Sequence, residues 1–241
     1  MKIVVIVRTR DEEARIGPFC DAYKNVDRIL VGDGGSVDRT VEIAKIYPNV
    51  EVRHFEERVM LNNGHWRNND SRHTNWLIAW AKEYQPDWII SDDCDCRPNY
   101  LLKQQYRTIL KKTDVDFVQV VRLYVWLSDR HFPYMAKPYT EDRDKWCPSL
   151  WAWRGNVDFW TVDTFPHFTF RIGSMPIRDL VSDAKVFDVM PPACLIHYSW
   201  DNVERVERKV RTHIESGSMP GQLHPLEFAG PLEVLPEWAV E

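Results

Sequence analysis

Short apolar runs alternate with segments of helical periodicity along the first half of the chain, and this alternation constrains the fold more than any other feature. Residues 3–7 form a continuous β-branched run, which is typical of a parallel strand covered on both faces. Further apolar runs follow at residues 29–31 and 50–52. Between these runs, apolar side chains recur at helical spacing at Ile16, Phe19, Cys20 and Tyr23, and again at Val41, Ala44 and Tyr47. The β-α-β-α-β order predicts an α/β fold with a parallel sheet and right-handed crossovers.

The pattern continues beyond the third strand. The polar and irregular segment at residues 56–69 predicts a loop. A helix is then expected from Asp70 or Ser71 to Tyr84. It is followed by a strand at residues 88–90, a helix at residues 100–110 and a strand at residues 117–121.

The second strand ends in a glycine-rich turn, Gly-Asp-Gly-Gly-Ser-Val-Asp-Arg-Thr, at residues 32–40. Glycines at such a place let the backbone turn tightly and approach a ligand. Ser36 is expected to cap the next helix, with Asp38 in its first turn.

Three carboxylates crowd the end of the strand at residues 88–90. Asp92, Asp93 and Asp95 lie within four positions, and Pro98 stops the strand from continuing. Like charges so close together raise one another's proton affinity, so a fold tolerates them mainly at a solvated tip or around a cation. Mg²⁺ and Mn²⁺ take oxygen ligands, and open α/β sheets bind ligands at the carboxyl ends of their strands. On this stretch alone, a solvated turn and a cation site are equal alternatives.

Composition limits the class of protein. The length of 241 residues suits one α/β domain, and a net charge of −5 argues against a broad nucleic-acid interface. The five cysteines show no CxxC spacing, which favours reduced thiols and a cytoplasmic protein, either free or peripheral at a membrane. The first apolar run is too short for a signal peptide, and no stretch has the length of a transmembrane segment. Core packing is the expected use of most of the 11 tryptophans.

Two motifs occur in a defined order. The first is Val31-x-Asp33-x-Gly35-Ser36-x-Asp38-x-Thr40, and the second is Trp88, four residues, then Asp93-x-Asp95-x-x-Pro98. Together they resemble the nucleotide-sugar-binding half of GT-A glycosyltransferases, especially those of family two, over residues 2–100 and one piece near the C-terminus. The resemblance implies a Rossmann-like, mixed and mostly parallel sheet flanked by helices, with an irregular acceptor-side region toward the C-terminus.

The same resemblance implies one GT-A domain over residues 1–241. Its parts would be a nucleotide-sugar-binding half at residues 1–121, an acceptor-side half at residues 122–215 and a tail at residues 216–241.

Roles at the strand ends follow from the resemblance. Thr9 and Asp11 would line the nucleotide pocket, and Asp33 would accept hydrogen bonds from the base or ribose. Arg72 would lie near the diphosphate or base.

The acidic motif would hold the sugar and the cation. Asp93 would contact the sugar, the ribose or the ion, and Asp95 would bind the Mn²⁺ or Mg²⁺ that holds the diphosphate. Asp92 directly precedes the motif and could shift these ligands by one residue.

The second half leaves the catalytic base open. Residues 150–154 predict a strand that resembles the aromatic strand before the acceptor site. Many relatives have a His-Glu pair about a dozen residues later, whereas here His167 has no such glutamate beside it. Asp163 and Asp179 are the nearest candidates for the base, and a structural role in a turn or cap is at least as good an alternative for either.

A short strand at residues 193–200 carries His197, and a helix capped by Asp201 or Asn202 is expected after it. In many metal-dependent relatives a histidine here completes the metal site, which is the role assigned to His197, with a structural histidine as the alternative. Imidazole suits Mn²⁺ better than Mg²⁺. Arg205 and Lys209 are expected either to face the diphosphate or to lie on a solvated helix face.

These features predict transfer of a sugar from a nucleotide diphosphate sugar to a hydroxyl of a glycan or another acceptor, in surface glycan or glycoconjugate synthesis. The resemblance favours inversion at the anomeric carbon. Nucleotidyltransferases have a similar sheet but carry a glycine-rich basic loop after strand one, where this chain has Thr-Arg-Asp-Glu-Glu at residues 9–13. A non-catalytic nucleotide- or carbohydrate-binding module is the third alternative, because the His-Glu glutamate is absent.

Overall fold

The computed structural model describes twelve segments of the chain, namely residues 1–56, 58–60, 66–68, 70–112, 114–126, 131–133, 149–164, 167–172, 175–176, 185–200, 202–207 and 232–234. Its helices are α1 (Glu13–Ala22), α2 (Thr40–Ala44), α3 (Asp70–Lys82) and α4 (Tyr100–Lys112), and residues 203–207 are also helical. Its strands are β1 (Ile3–Thr9), β2 (Arg28–Asp33), β3 (Val50–His54), β4 (Arg58–Met60), β5 (Trp66–Asn68), β6 (Trp88–Ser91), β7 (Cys96–Pro98), β8 (Phe117–Val120), β9 (Arg122–Trp126), β10 (His131–Pro133), β11 (Ser149–Arg154), β12 (Phe159–Thr164), β13 (His167–Ile172), β14 (Met175–Pro176), β15 (Val186–Val189), β16 (Leu195–Trp200) and β17 (Leu232–Val234).

The main sheet contains seven strands within these segments, in the order β15-β8-β11-β6-β1-β2-β3. β1 pairs in parallel with both β2 and β6, and β2 pairs in parallel with β3. β11 is antiparallel to both of its neighbours, β6 and β8. The predicted α/β fold with a mixed, mostly parallel sheet is therefore confirmed.

β1 is covered on both faces, as its unbroken apolar run predicts. Ile3, Val5 and Val7 pack into one buried cluster, and Val4 and Ile6 pack into another. This division follows from the two-residue period of a strand, because successive side chains point to opposite faces of the sheet.

Four tryptophans fill the core around the central strands. Trp80, Trp88, Trp151 and Trp153 are almost fully buried, and large aromatic side chains contribute much of the apolar area that stabilises a core. The expected packing role of tryptophan holds for these four.

A small three-stranded sheet, in the order β7-β16-β9, joins the two halves of the chain. β16 pairs antiparallel with β7, which directly follows the acidic motif, and in parallel with β9. Residues late in the sequence are thereby placed beside the carboxylates that follow β6.

Local details differ from the sequence predictions at two places. Residues 58–60 and 66–68 form the antiparallel pair β4–β5, although the segment at residues 56–69 was expected to be a loop. α2 begins at Thr40, and Ser36 does not cap it. The Ser36 hydroxyl donates to Asp33 instead. Asp38, expected in the first turn, precedes the helix and accepts a hydrogen bond from the Thr40 amide at 2.9 Å.

Within the described segments, no helix combines the length and the apolar character needed to cross a membrane.

Candidate active site

The predicted donor-site residues converge at the carboxyl ends of β1, β2 and β6. Thr9 and Asp33 are direct partners in the parallel register of β1 and β2, and both are buried. Parallel strands present their carboxyl ends at one edge of a sheet, which is where open α/β sheets bind ligands. The Thr9 hydroxyl is buried and has no hydrogen-bond partner among the described residues.

Asp33 organises the glycine-rich turn that follows β2. Its carboxylate accepts hydrogen bonds from the Gly35 amide at 3.1 Å, from the Ser36 amide at 3.2 Å and from the Ser36 hydroxyl at 2.5 Å. His54 Nδ1 lies 3.3 Å from the same carboxylate. Any role of Asp33 toward a ligand is therefore combined with a structural role in shaping the turn.

Asp11 connects the turn after β1 to the same loop. Its amide donates to the Ser36 hydroxyl at 3.0 Å, and its carboxylate accepts from the Val37 amide at 2.8 Å. The backbone of Asp11 has a φ of 53°, in the left-handed region that aspartate tolerates better than most residues. The two loops that resemble a nucleotide pocket are thus fixed to each other.

Asp93, Asp95, Cys96 and His197 form a compact group of possible metal ligands. One ligand atom from each lies within 4.8 Å of the others. Asp95 Oδ1 and His197 Nε2 are 3.1 Å apart. The amide of Tyr198 also donates to the Asp95 carbonyl at 2.8 Å, which fixes β16 against the acidic motif.

The geometry of this pair fits a bound divalent cation. Adjacent ligands of an octahedral ion with bonds of about 2.1 Å are about 3.0 Å apart, close to the distance between Asp95 and His197. Carboxylate oxygen and imidazole nitrogen are suitable ligands for Mn²⁺. The residues present can therefore hold the cation that the acidic motif suggests.

Asp92 is not a member of this group and is buried. Its side chain has no exposed surface, and it accepts a hydrogen bond of 2.7 Å from the Tyr23 hydroxyl, which in turn accepts one from the Trp151 indole at 3.2 Å. Burial raises the pKa of Asp92 to about 6, against the opposing effect of the Arg122 guanidinium. The group of possible metal ligands includes Asp93 and Asp95 but not Asp92, so the shift of the ligands by one residue stays an untested alternative.

Arg122, at the start of β9, binds the first two carboxylates together. Its guanidinium lies 3.0 Å from Asp93 and 3.4 Å from Asp92. Burial acts to raise the pKa of Asp93, but Arg122 and other positive neighbours outweigh it, so the pKa is lowered and the side chain is ionised. The sequence reasoning missed Arg122 because nothing in the sequence reveals that β9 joins the small sheet beside β7.

Arg205 occupies the other side of the cluster. It donates two hydrogen bonds to Glu12, at 3.0 and 3.1 Å, and one of 2.8 Å to Asp95 Oδ2. Only 7% of its side chain is exposed, so the solvated-face alternative is wrong for Arg205. Burial acts to lower the pKa of this guanidinium, but Glu12 and Asp95 together raise it.

The helical segment that carries Arg205 begins with a side-chain cap. Asn202 Oδ1 accepts a hydrogen bond from the Arg205 amide at 2.9 Å, the geometry of an N-cap. Of the two caps considered for this helix, Asn202 is therefore the one for which the described residues show the bond.

The remaining predicted residues are less closely associated with the cluster. Arg72 lies exposed on α3, and Arg8, which the sequence reasoning did not single out, pairs with Asp70 at the start of that helix at 2.9 Å. Asp163 lies in β12, where only its backbone is described. Asp179 and Lys209 lie outside the described residues, so the role of each stays a prediction.

Comparison with known proteins identifies the fold. No family model matches the sequence, and no curated protein matches it. The structure is similar to that of S. aureus TarS residues 1–349 in complex with UDP-GlcNAc, with a TM-score of 0.54 and 14% identity over 89% of this chain and 66% of that one. The complex of the same fragment with UDP gives a TM-score of 0.51 and 16% identity, over 89% and 65% of the two chains.

A structure of S. aureus TarS gives a similar result, with a TM-score of 0.53 and 15% identity over 89% of this chain and 40% of that one. This chain therefore spans less than two thirds of the TarS structure. The similarity to these structures shows that this chain has the GT-A fold.

Proposed function

We propose that this chain is a metal-dependent glycosyltransferase that moves a sugar from a nucleotide diphosphate sugar to an acceptor hydroxyl. The observation that carries the proposal is the pairing of Asp95 with His197 at 3.1 Å, beside Asp93, at the ligand-binding edge of a GT-A sheet. The solved TarS fragment with this fold contains UDP-GlcNAc, which makes a UDP-sugar the first donor to test.

In this proposal one set of residues contacts the nucleoside of the donor, and another set holds the cation that balances the charge of the diphosphate. Thr9, Asp11 and Asp33 line the nucleoside end. Asp95 and His197, with Asp93 beside them, would hold Mn²⁺ or Mg²⁺. The cation would neutralise the negative charge that develops on the departing nucleoside diphosphate.

Transfer breaks the bond between the anomeric carbon and the diphosphate oxygen and forms a bond from that carbon to the acceptor oxygen. The acceptor proton passes to a carboxylate base, for which Asp163 and Asp179 are the candidates. Attack from the face opposite the leaving group would invert the anomeric configuration.

The cellular setting belongs to the same proposal. Cys20, Cys94, Cys96 and Cys194 are buried free thiols, which suit a reducing compartment such as the cytoplasm. A glycan or glycoconjugate would be the acceptor, and the whole chain would act as one GT-A domain.

Binding of nucleoside diphosphates tests the proposal directly. Thermal unfolding would be measured with UDP, GDP, CDP or ADP, each with and without Mn²⁺. A ligand at 100 times its Kd stabilises by about 2.7 kcal/mol, or about 5–10 °C in a protein of this size. If no nucleoside diphosphate stabilises the protein when Mn²⁺ is present, the proposal is wrong.

Two variants identify the site and one assay identifies the reaction. Asp95→Asn should abolish Mn²⁺-dependent stabilisation, whereas Asp158→Asn should retain it, because the Asp158 side chain is 86% exposed and lies outside the cluster. Release of UDP from a UDP-sugar, even by slow hydrolysis, would support transfer. Tight binding with no turnover in the presence of any hydroxyl acceptor would instead indicate a non-catalytic nucleotide-binding module.

A further inference from the structure

Cys96 belongs to the same group of ligand atoms as the two aspartates and the histidine. Its sulfur lies within 4.8 Å of the ligand atoms of Asp93, Asp95 and His197. Cys96 and His197 are direct partners in the antiparallel register of β7 and β16. Side chains of directly opposed residues project on the same face of such a pair, so the thiol and the imidazole face the cluster together.

The mixture of ligand types differs from that of a site built for Mg²⁺. Carboxylate oxygens suit Mg²⁺ and Mn²⁺, whereas sulfur and imidazole ligands select softer ions. In tetrahedral zinc sites, with bonds of about 2.0–2.3 Å, neighbouring ligand atoms lie about 3.3–3.8 Å apart. Contraction of the present group by about 1 Å would reach that geometry, which is within the range of side-chain rotation.

The charge of the cluster also suits a dication. Glu12, Asp92, Asp93 and Asp95 supply four carboxylates, and the guanidinium groups of Arg122 and Arg205 contact all four of them. With every group ionised, these six side chains carry a net charge of −2. A metal-bound Cys96 thiolate would make this charge −3, so a divalent ion would reduce it to −1. The ion can use Asp95 Oδ1 while Arg205 stays on Oδ2.

We propose that Cys96 makes this cluster a site for a thiophilic divalent cation, Zn²⁺ or Cd²⁺, at the place where sugar transfer would use Mn²⁺ or Mg²⁺. Binding forms a metal–sulfur bond and releases the thiol proton to solvent. Zn²⁺ would then bind without a nucleotide and compete with Mn²⁺. The inference deepens the proposed function, since it concerns the choice of cation at the same site.

The test uses CdCl₂ alone as the probe. Titration of the reduced protein should produce a thiolate-to-Cd²⁺ absorption band that saturates at one equivalent. Cys96→Ser should abolish the band and weaken Zn²⁺ binding by about 100-fold, since a lost sulfur ligand removes the soft component of the site. Cys94→Ser is the matched control, because Cys94 is also buried and lies on the other side of Asp95 in the sequence; it should keep the band.

Further measurements keep the outcomes distinct. Cys96→Ala serves as a second variant, and thermal unfolding of both variants shows whether they are folded. A band that persists in folded Cys96→Ser or Cys96→Ala, or that is absent from the wild-type protein, overturns the inference. Wild-type protein that lacks the band but still binds UDP with Mg²⁺ would reject only the thiol ligand, and the proposed function would stand. Wild-type protein that binds neither ion nor nucleotide would reject both proposals.

Discussion

Arg205 Nη2 lies 2.8 Å from Asp95 Oδ2, so a buried guanidinium already occupies one oxygen of the carboxylate expected to bind the cation. Glu12 holds the same guanidinium through two hydrogen bonds. Part of the negative charge of the cluster is thus compensated before any ion or nucleotide arrives. An ion at Asp95 must act against the positive charge of Arg205, whereas a diphosphate would be attracted by it.

The first prediction follows from these opposite signs. Arg205→Gln should raise the affinity for Mn²⁺ alone by about tenfold and lower the affinity for UDP in saturating Mn²⁺ by about tenfold, each about 1.4 kcal/mol. Isothermal titration calorimetry of both ligands checks this.

Arg39→Gln is the matched control for this experiment, because it makes the same charge change at a side chain that is 62% exposed. It should change neither affinity appreciably. A loss of both affinities in Arg205→Gln, with the fold intact, would mean that Arg205 positions Asp95 and does not compete with the ion.

Asp33 allows its two roles to be separated. Asp33→Ala removes the acceptor of the Gly35 and Ser36 amides and should destabilise the protein by about 1–3 kcal/mol. Asp33→Asn keeps one oxygen acceptor for those amides and should recover much of that stability. If the carboxylate also contacts the nucleoside, both variants should weaken uridine binding. Chemical denaturation and uridine titration provide the two readouts, and normal uridine binding by Asp33→Asn would leave Asp33 with the turn alone.

Two glycines provide a matched pair of packing predictions. A Cβ at Gly155 would lie 2.0 Å from the Pro86 carbonyl oxygen, a backbone atom that cannot rotate away. Gly155→Ala should therefore destabilise the protein by about 2 kcal/mol or more. A Cβ at Gly17, in α1, would come no closer than 3.5 Å to any residue beyond its chain neighbours and the backbone of its own helix.

Gly17→Ala should change the stability by less than about 1 kcal/mol, because the higher helix propensity of alanine opposes the crowding of its Cβ against Pro18. Urea denaturation of both variants compares them under one condition. Equal effects from the two substitutions would show that the close approach of Gly155 to Pro86 is not maintained in solution.

His73 gives a prediction for stability against pH. Burial, assisted by the positive charge of Arg8, lowers its pKa to about 3 from an ordinary value of 6.5. The folded state therefore binds this proton less readily than the unfolded state, and its contribution to stability is present above about pH 6.5. It should be lost as the pH falls toward about 3, with a slope of up to about 1.4 kcal/mol per pH unit.

His73→Phe preserves an aromatic ring for stacking on Phe55, whose centroid is 4.2 Å from that of His73. This variant should show a shallower loss of unfolding free energy between about pH 6.5 and 4 than wild type. Gly17→Ala, which changes no titratable group, provides the reference profile. Parallel pH profiles for wild type and His73→Phe would contradict the assignment.

The parts of the fold that depend on local pattern could be predicted from the sequence. The unbroken apolar run in β1 predicts burial on both faces of the strand, and the helical spacing in α1 predicts one buried helix face. β11 was recognised as a strand, but its antiparallel direction depends on how the chain returns through residues with weak periodicity. The β4–β5 pair was missed because each strand has only three residues, too few to show an alternating pattern.

Some residues of the site could likewise be predicted from a local sequence signal, and others could not. The crowding of like charges predicts a role for Asp93 and Asp95. The position of His197 on a short apolar strand predicts a role for the histidine. Arg122 and Glu12 carry no such signal, because each becomes part of the cluster only through pairing between distant elements. Their partners are 29 residues away for Arg122 with Asp93 and 193 residues away for Glu12 with Arg205.

Because β16 belongs to the small sheet β7-β16-β9, the site can be completed only after this late strand has been synthesised. Asp95 and His197 are 102 residues apart, so a nascent chain that ends after α4 already contains β1, β2 and β6 but only part of the cation cluster. Closing so long a loop is a late and entropically costly event in folding. Cation capture at Asp95 and His197 therefore cannot precede emergence of β16 from the ribosome.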